Sequence, residues 1–385
     1  MRPASELTCP HRPPCPGCPR FGRPGLAASA REPLLALATR AGLPAPELVE
    51  GSRLGFRHRA RLAVRGRVEN PKIGIFESGT HRVVHIPDCR IHHPLINDVA
   101  RVVRRAMVEQ RIAPYSDSAH AGSVRYLQIV VERESQSAQL VVVTREGSPD
   151  GFASFFALLS ERLGSKLHSL WWNGQPEKSN AVLGQRFRKL SGPSAVSETS
   201  GNTRLFYPPG AFGQSHLELA DKIGSAVAEF VPDGARMVEY YAGVGALGLP
   251  LLARLGHLEM NELSPDSLAG LELGIAELSS ELRARVQVHP GSAGAVAATL
   301  SGSDVVLVDP PRKGLDPELL EQLVKTPVPR LIYVSCGLSA LLGEAEQLLE
   351  SGKYRLSALR AFALFPYTEH VETLAVFEAS SRAPS

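Results

Sequence analysis

From residue 215 to the end of the chain, short apolar runs and amphipathic stretches take turns, and this alternation constrains the fold more than any other feature. "LELADKIGSAVAEFV" places apolar residues at helical spacing, "RMVEYYA" reads as a strand, "GALGLPLLARLG" as a helix, "HLEMNEL" as a strand and "SPDSLAGLELGIAELS" as a helix. The series continues as strand, helix, strand and helix through "SDVVLVDPP", "DPELLEQLVKT", "RLIYVSCG" and "GLSALLGEAEQLLESG". It closes on two strands, "YRLSALRAFALFP" and "ETLAVFEAS". Strands joined through helices run parallel, so the expectation is an α/β fold with a doubly wound sheet and ligands at the carboxyl ends of its strands. The final, closely joined pair predicts an antiparallel hairpin at one edge, and the tail "SSRAPS" is expected to be disordered.

Residues 51–200 have a different texture. "RARLAVRGRV", "VRYLQIVVER", "AQLVVVT" and "SLWWN" are short strand-like runs, interrupted by helical "LINDVARVVRRAMVEQ" and "GFASFFALLSERLGS", which predicts an α+β unit with a mixed sheet. Trp171 and Trp172 are expected to pack in the core and a hairpin. Residues 1–50 are rich in Pro, Arg and Gly at the start and read as an arm and linker that is ordered only if something ties it down. The division expected is therefore 1–50, 51–200 and 201–380.

Several classes are excluded by composition. With 385 residues, 43% apolar and 21% charged, the chain suits two soluble globular units. No apolar run approaches the roughly 18 residues of a membrane helix. The start "MRPASELTCPHRPP" lacks the apolar stretch of a secretory signal, so a cytoplasmic location is expected. Five cysteines in a reducing compartment point to metal ligation or catalysis rather than to disulfides. Net charge is +3, yet residues 1–70 hold twelve Arg and no Lys against five Glu and no Asp, a local balance of +7. Six of those arginines fall in "RLGFRHRARLAVRGR", either a solvated strand face or a contact for an anionic partner such as RNA.

Chemistry enters at "VEYYAGVGALG". Gly243, Gly245 and Gly248 follow a strand and open a helix, and Glu262 ends the next strand 19 residues after Gly243. A nicotinamide dinucleotide site and an S-adenosylmethionine site both use these parts, since glycines admit the cofactor against the backbone and a carboxylate accepts ribose hydroxyls. The fourth strand favours the methyl donor: in "DVVLVDPPRKGL", Asp309 is held at a strand end by two rigid prolines, and Arg312 follows, available for a phosphate, a base or a surface salt bridge. Cys336 ends the strand in "LIYVSCGLS" just before a helix, where the helix N-terminus is expected to lower its pKa and make it a nucleophile. In "FPYTEHVETLAVF", Glu372 opens a strand and is a candidate general base. A thiolate and a base beside a methyl donor answer one problem, the poor nucleophilicity of pyrimidine carbon-5. Thiolate addition at carbon-6 activates the ring, and a base then removes the carbon-5 proton.

Together "FGQSHLEL", "EYYAGVGALGL", "DVVLVDPPRKGLD", "YVSC" and "FPYTEHVETLAVF" resemble the RNA uracil-5 methyltransferases, across the C-terminal half and more weakly upstream through "GFRHRARLAV" and "GIFESGTHRVVHIPDCRIHHPLIN". The resemblance implies a class I S-adenosylmethionine-dependent enzyme forming 5-methyluridine, with Cys336 as nucleophile and Glu372 as base. It places Gln214, Tyr241, Glu262 and Asp309 on the family's cofactor positions, beside the turn glycines Gly243 and Gly245. The implied partner is RNA, with 23S ribosomal RNA ahead of the T-loop uridine of transfer RNA. No membrane partner is implied, and the chain is expected to act as a monomer. A catalytically inactive RNA-binding protein on the same scaffold is the reading from another class.

The chain departs from the family pattern at Gly337 and Leu338, where Asn-Pro is usual, and at Ala246, where a small polar residue is common. His216 replaces Asn, "HPGSAGA" lacks the acid or amide that often meets the adenine, and the common N-terminal oligonucleotide-binding barrel is expected to be absent. With Cys336 assigned to catalysis, Cys9, Cys15, Cys18 and Cys89 remain, a full ligand set for zinc or for an iron–sulfur cluster. Their spacing resembles the cluster-bearing members of the family, which implies [4Fe-4S]. His11, His85, His92 and His93 would substitute only for a thiol that proved free.

Overall fold

The structure is a computed structural model that describes residues 7–23 and 25–380; the tail expected to be disordered lies outside them apart from Ser380. The helix α1 (Ala28–Arg40) and the strand β1 (Glu47–Val49) come first. A central unit follows, with strands β2 (Arg59–Arg67), β3 (Asn70–Phe76), β4 (Val83–His85), β5 (Val124–Val131), β6 (Ala138–Thr144), β7 (Leu167–Gly174) and β8 (Arg186–Ser191). Its helices are α2 (Pro94–Glu109) and α3 (Ala153–Leu163).

These strands form one sheet in the order β4-β3-β2-β5-β6-β7-β8. It is mixed, as expected: β6 and β7 pair in parallel across the α3 crossover, and the other neighbours are antiparallel. The α2 helix shows why one face closes. Pro94 starts it without losing a needed donor, the His93 ring caps the Leu95 amide at 3.3 Å, and Leu95, Ile96, Val99, Val103 and Met107 turn one stripe inward. Trp172 joins that core and donates to Thr144 Oγ1 at 2.8 Å, while Trp171 packs on the opposite face. Two strands are not marked by a clean apolar run: in β3 Pro71 and Gly74 interrupt the apolar residues, and β8, "RFRKLS", is a polar edge.

A hairpin of β9 (Val196–Ser200) and β10 (Thr203–Tyr207) leads into the larger unit. That unit adds α4 (Leu217–Ala228), β11 (Arg236–Tyr240), β12 (His257–Glu262), α5 (Pro265–Ala276), α6 (Ser280–Arg283), β13 (Val286–Pro290) and β14 (Val305–Val308). It ends with α7 (Pro317–Lys325), β15 (Arg330–Ser335), α8 (Leu338–Glu350), β16 (Tyr354–Phe362) and β17 (Glu372–Ala379). The sheet order is β1-β16-β17-β15-β14-β11-β12-β13, with β11 to β15 parallel and β17 antiparallel between β15 and β16. The doubly wound expectation holds.

Three details differ from expectation. The stretch "GALGLPLLARLG" forms only a 3-10 segment, Leu249–Arg254, because the glycine turn occupies its front and Gly256 ends it. The short strand β13 carries alternating polar residues and escaped notice. The hairpin is not the sheet's edge, since β1 pairs in parallel outside β16 through Glu47–Arg360, Leu48–Ala361 and Val49–Phe362. The segment read as a linker therefore supplies an edge strand, and α1 inserts Leu34 and Leu37 into the core under α7 and α8. On the other sheet face, α4, α5 and the 3-10 segment cover Met237, Met260 and Ile332.

Candidate active site

Register brings the chemistry-bearing residues to one rim. Tyr240 pairs with Asn261 and with Val308, so Tyr241, Glu262 and Asp309 leave their strands at the same level. Because β17 runs antiparallel, its first residue lies at the rim where β15 ends. One step past the pair Ser335–Thr373, Cys336 and Glu372 fall opposite each other. Among the sequence-derived residues, Tyr241, Gly243, Gly245, Glu262, Asp309, Cys336 and Glu372 thus share this rim. Gln214 is half-buried in the loop before α4.

One strained residue and two glycines shape the turn. Tyr241 has φ +59°, rare for a bulky residue, and Gly243 and Gly245 have φ +60° and +83°. The Glu262 carboxylate fixes the turn by accepting from Gly243 N at 2.7 Å and from Leu263 N and Ser264 N at 2.8 and 2.6 Å. A Cβ on Gly243 would meet nothing within 4 Å, so this side of the turn faces open space.

The cleft is rich in acids. Glu372 is 3% exposed, its Oε1 has no partner, and burial together with Asp309 raises its pKa well above the carboxylate range against the opposing pull of Arg312. Burial raises Asp309 to about 7. Glu239, beneath the glycine turn, is raised strongly by burial and by Asp309. The Cys336 thiol is pushed up to about 11 by burial, Glu372 and Asp309, with Arg312 opposing. This corrects the expectation of a lowered thiol: one helix terminus is outweighed by desolvation and two neighbouring acids.

The "DPPRKGLD" loop is clamped from three sides. The Tyr241 hydroxyl accepts from Asp316 N at 2.8 Å, and Glu344 accepts from Leu315 N at 2.9 Å and from the Tyr333 hydroxyl at 2.7 Å. A Cβ on Gly337 would stand 2.5 Å from Arg312 O, so the residue that replaces Asn here lets the loop press onto the β15 end. Arg312 is exposed and its charge reaches Cys336, Glu372 and His370. His216, the other departure, caps α4 and bonds Ser52 O at 3.0 Å.

Glu344 and Glu239 were missed by sequence reasoning. A signal existed for both: Glu344 falls in the buried i, i+3, i+4, i+7 stripe Leu341, Glu344, Ala345, Leu348, and Glu239 interrupts an apolar strand. Phe212 and Leu263 were also passed over, 67% and 66% exposed, beside Gln214 and Glu262 respectively.

A second constellation lies where the arm meets the central unit. Cys9, Cys15, Cys18 and Cys89, all unpaired, line one cavity of about 150 Å³ together with His11 and Arg57. Burial raises Cys15, Cys18 and Cys89, Cys18 to about 12. Among the described residues, no group of three or more His, Cys, Asp or Glu is arranged so that it could hold a metal ion. The nearby histidines are otherwise engaged: His11 with Asp88 N at 3.1 Å, His85 with Ile73, His92 with Asn97 at 3.1 Å, and His93 as the α2 cap. Half of the six arginines of the 53–67 stretch turn inward, while Arg53, Arg61 and Arg67 are exposed. Arg57 faces this cavity, Arg59 lies over the Tyr207 ring at 4.0 Å, and Arg65 is 6% exposed and bonded to Asp117 at 2.6 Å.

Comparison with known proteins gives three results. Residues 298–379 match the family described as tRNA (Uracil-5-)-methyltransferase. A protein of Protochlamydia amoebophila named an uncharacterized RNA methyltransferase is 34% identical over 380 residues, 97% of each chain, and one of Geobacter sulfurreducens is 27% identical over 347 residues, covering 87% of this chain and 67% of that one. Among solved structures, the Pyrococcus abyssi tRNA (uracil-54, C5)-methyltransferase in complex with S-adenosyl-L-homocysteine superposes with a TM-score of 0.74 at 22% identity, covering 91% of this chain and 82% of that one.

Proposed function

The chain belongs to the RNA uracil-5 methyltransferase family, and on that premise we propose that it methylates carbon-5 of a uridine in 23S ribosomal RNA with S-adenosylmethionine as donor. Its fold is that of a class I methyltransferase. The observation that carries the reading is the meeting of Cys336, Asp309 and Glu372 at one sheet rim.

Cofactor binding falls to Gln214, Tyr241, Gly243, Gly245, Glu262 and Asp309. Open space over Gly243 and a carboxylate at the end of β12 fit a nucleoside, and a rim holding Glu262, Asp309 and Glu372 fits a cationic guest. When bound, S-adenosylmethionine supplies an electrophilic methyl group. Cys336, once deprotonated, adds to uracil carbon-6 and makes carbon-5 nucleophilic. After the methyl has moved to carbon-5, Glu372 takes the carbon-5 proton and the thiolate departs. A positive charge near Glu372 and Asp309 would draw both toward the ionised form that a base requires.

Cys9, Cys15, Cys18 and Cys89 would hold a [4Fe-4S] cluster. Four thiols lining one cavity are a full set of ligands, and their spacing, which resembles that of the cluster-bearing members of the family, supports the cluster over zinc. The cluster would supply a rigid clasp for the arm. Transfer RNA is the second reading for the substrate, favoured by the family description matched at residues 298–379. The test is mass-spectrometric mapping of 23S ribosomal and transfer RNA after incubation with purified protein and donor. New 5-methyluridine in the ribosomal RNA, lost with Cys336→Ala, supports the reading, and its appearance only in transfer RNA selects the second. No 5-methyluridine in either sinks both.

A further inference from the structure

The cysteine arm reaches the loop that leads into Glu372. Arg20 N donates to Tyr367 O at 3.0 Å, the Phe21 and Tyr367 rings lie 4.7 Å apart, and Ser29 Oγ donates to Glu369 Oε2 at 2.6 Å. The central unit adds a fourth contact, the Arg57 guanidinium 5.3 Å from the Phe365 ring centroid. Arg57 also lines the thiol cavity, and its Nε is buried with no hydrogen-bond partner. A guanidinium withdrawn from water without an anion is costly. The groups it faces are thiols, and four ligated thiolates carry negative charge that a metal centre offsets only in part.

We propose that Arg57 is the counter-cation of the ligated thiolates and, through Phe365, the positioning residue that ties the loading of that site to the loop carrying Glu372. The proposal rests on the reading of the four thiols as cluster ligands and of Glu372 as base. In the loaded protein Arg57 is held between an anion and an aromatic face. Without the anion it is drawn toward water and Phe365 loses its brace. The effect falls on one step. Cys336 sits at the end of β15 beside the clamped loop, so addition to carbon-6 and methyl transfer proceed. The Glu372 carboxylate then takes the carbon-5 proton, the electron pair of that C–H bond forms the carbon-5–carbon-6 double bond, and the carbon-6–sulfur bond breaks to release the thiolate. With Glu372 displaced, this last step stalls and the methylated base stays bonded to Cys336.

The experiment uses full-length protein reconstituted anaerobically with iron and sulfide: wild type, Arg57→Met, Arg57→Lys and Phe365→Leu. In Arg57→Met, iron retained after a chelator challenge is expected to fall about ten-fold, with partial recovery in Arg57→Lys. On uridine-containing RNA, a denaturant-resistant protein–RNA adduct is expected to accumulate in Arg57→Met and in unloaded wild type. Adduct formation with 5-fluorouridine RNA, which has no carbon-5 proton to lose, should be equal throughout, a result that a folding defect would not give. Phe365→Leu should accumulate the uridine adduct with normal iron retention, which keeps the test open if Arg57→Met fails to fold. Wild-type iron retention and product release in both Arg57→Met and Phe365→Leu would overturn the proposal while leaving the cluster and base readings standing. A wild type that takes up no iron, or forms no 5-fluorouridine adduct, overturns those readings and the proposal with them.

Discussion

The rim cleft and the thiol cavity are built with opposite imbalances. At the rim, Asp309 and Glu372 stand beside Cys336, Glu239 lies buried beneath the glycine turn, and the charge of the exposed Arg312 reaches Cys336 and Glu372. In the cavity, four thiols stand beside the half-buried Arg57, whose Nε is withdrawn from water and has no hydrogen-bond partner. The first arrangement asks for a positive guest, and the second for loading that turns its thiols into thiolates beside the guanidinium. Each site is unfavourable when empty, so each guest that binds only the folded chain adds to its stability. The comparison also separates two kinds of cysteine: Cys336 stands among acids at a strand end, and the other four among apolar residues and arginines.

The largest expected effect breaks the rim itself. Cys336→Ala should abolish both 5-methyluridine formation and the covalent adduct, whereas Glu372→Gln should slow turnover by about 10²–10⁴-fold while the adduct with uridine RNA accumulates. Denaturing gels and mass spectrometry read both. Equal loss of adduct in the two variants would remove the division of roles.

Proton exchange sharpens the contrast next. The pKa of Asp309 is raised from 3.8 to about 7 by burial, so between those values the folded state holds a proton that the unfolded state has lost. Stability of the cofactor-free protein should therefore fall as pH rises from about 4 to about 7. Asp309→Asn should flatten that fall in denaturant titrations. Binding of the cationic donor should release protons, measurable by calorimetry in buffers of different ionisation enthalpy. In the cavity the same measurement should show proton release on metal loading, from thiols that burial raises above their usual value, Cys18 to about 12.

Smaller effects probe the supports. Glu344→Ala removes the acceptor of both Leu315 N and the Tyr333 hydroxyl, and should cost about 1–3 kcal/mol in denaturant unfolding. Gly337→Ala would set its Cβ 2.5 Å from Arg312 O and must push that backbone away. Its cost should be about 1–3 kcal/mol, and the larger part of its effect should appear in turnover, because the loop that shifts holds Asp309.

The strand ends that carry Asp309, Cys336 and Glu372 were legible because a buried parallel strand is an apolar run with an abrupt polar end. The turn at Gly243 was legible for the same reason. Glu344 and Arg57 were not, since their meaning lies in partners 29 and 308 positions away, Leu315 and Phe365, and nothing local marks such a pair. The thiol pKa was misjudged because a helix terminus is visible in sequence and the neighbouring acids are not. The strands β3, β8 and β13 were lost because their patterns are short or interrupted, by Pro71 and Gly74 in β3, by charged residues in β8 and by Pro290 in β13, and pairing to a neighbour completes each of them. The role of β1 was invisible in principle: three residues have no periodicity.

That short strand sets the order in which the chain can be completed. Val49 pairs with Phe362, and Leu34 packs with Leu341 and Tyr354, so the catalytic sheet waits for segments more than three hundred residues apart. The central unit of β2 to β8 draws its pairings from within residues 59–191 and interrupts the larger one. During synthesis it can close while α1 and β1 are still unpaired, their apolar faces exposed until the last strands leave the ribosome. Long-range closure of this kind is slow, and the interval is when the chain is most open to aggregation and to chaperones. Expression that outruns this step should yield a folded middle flanked by unassembled ends.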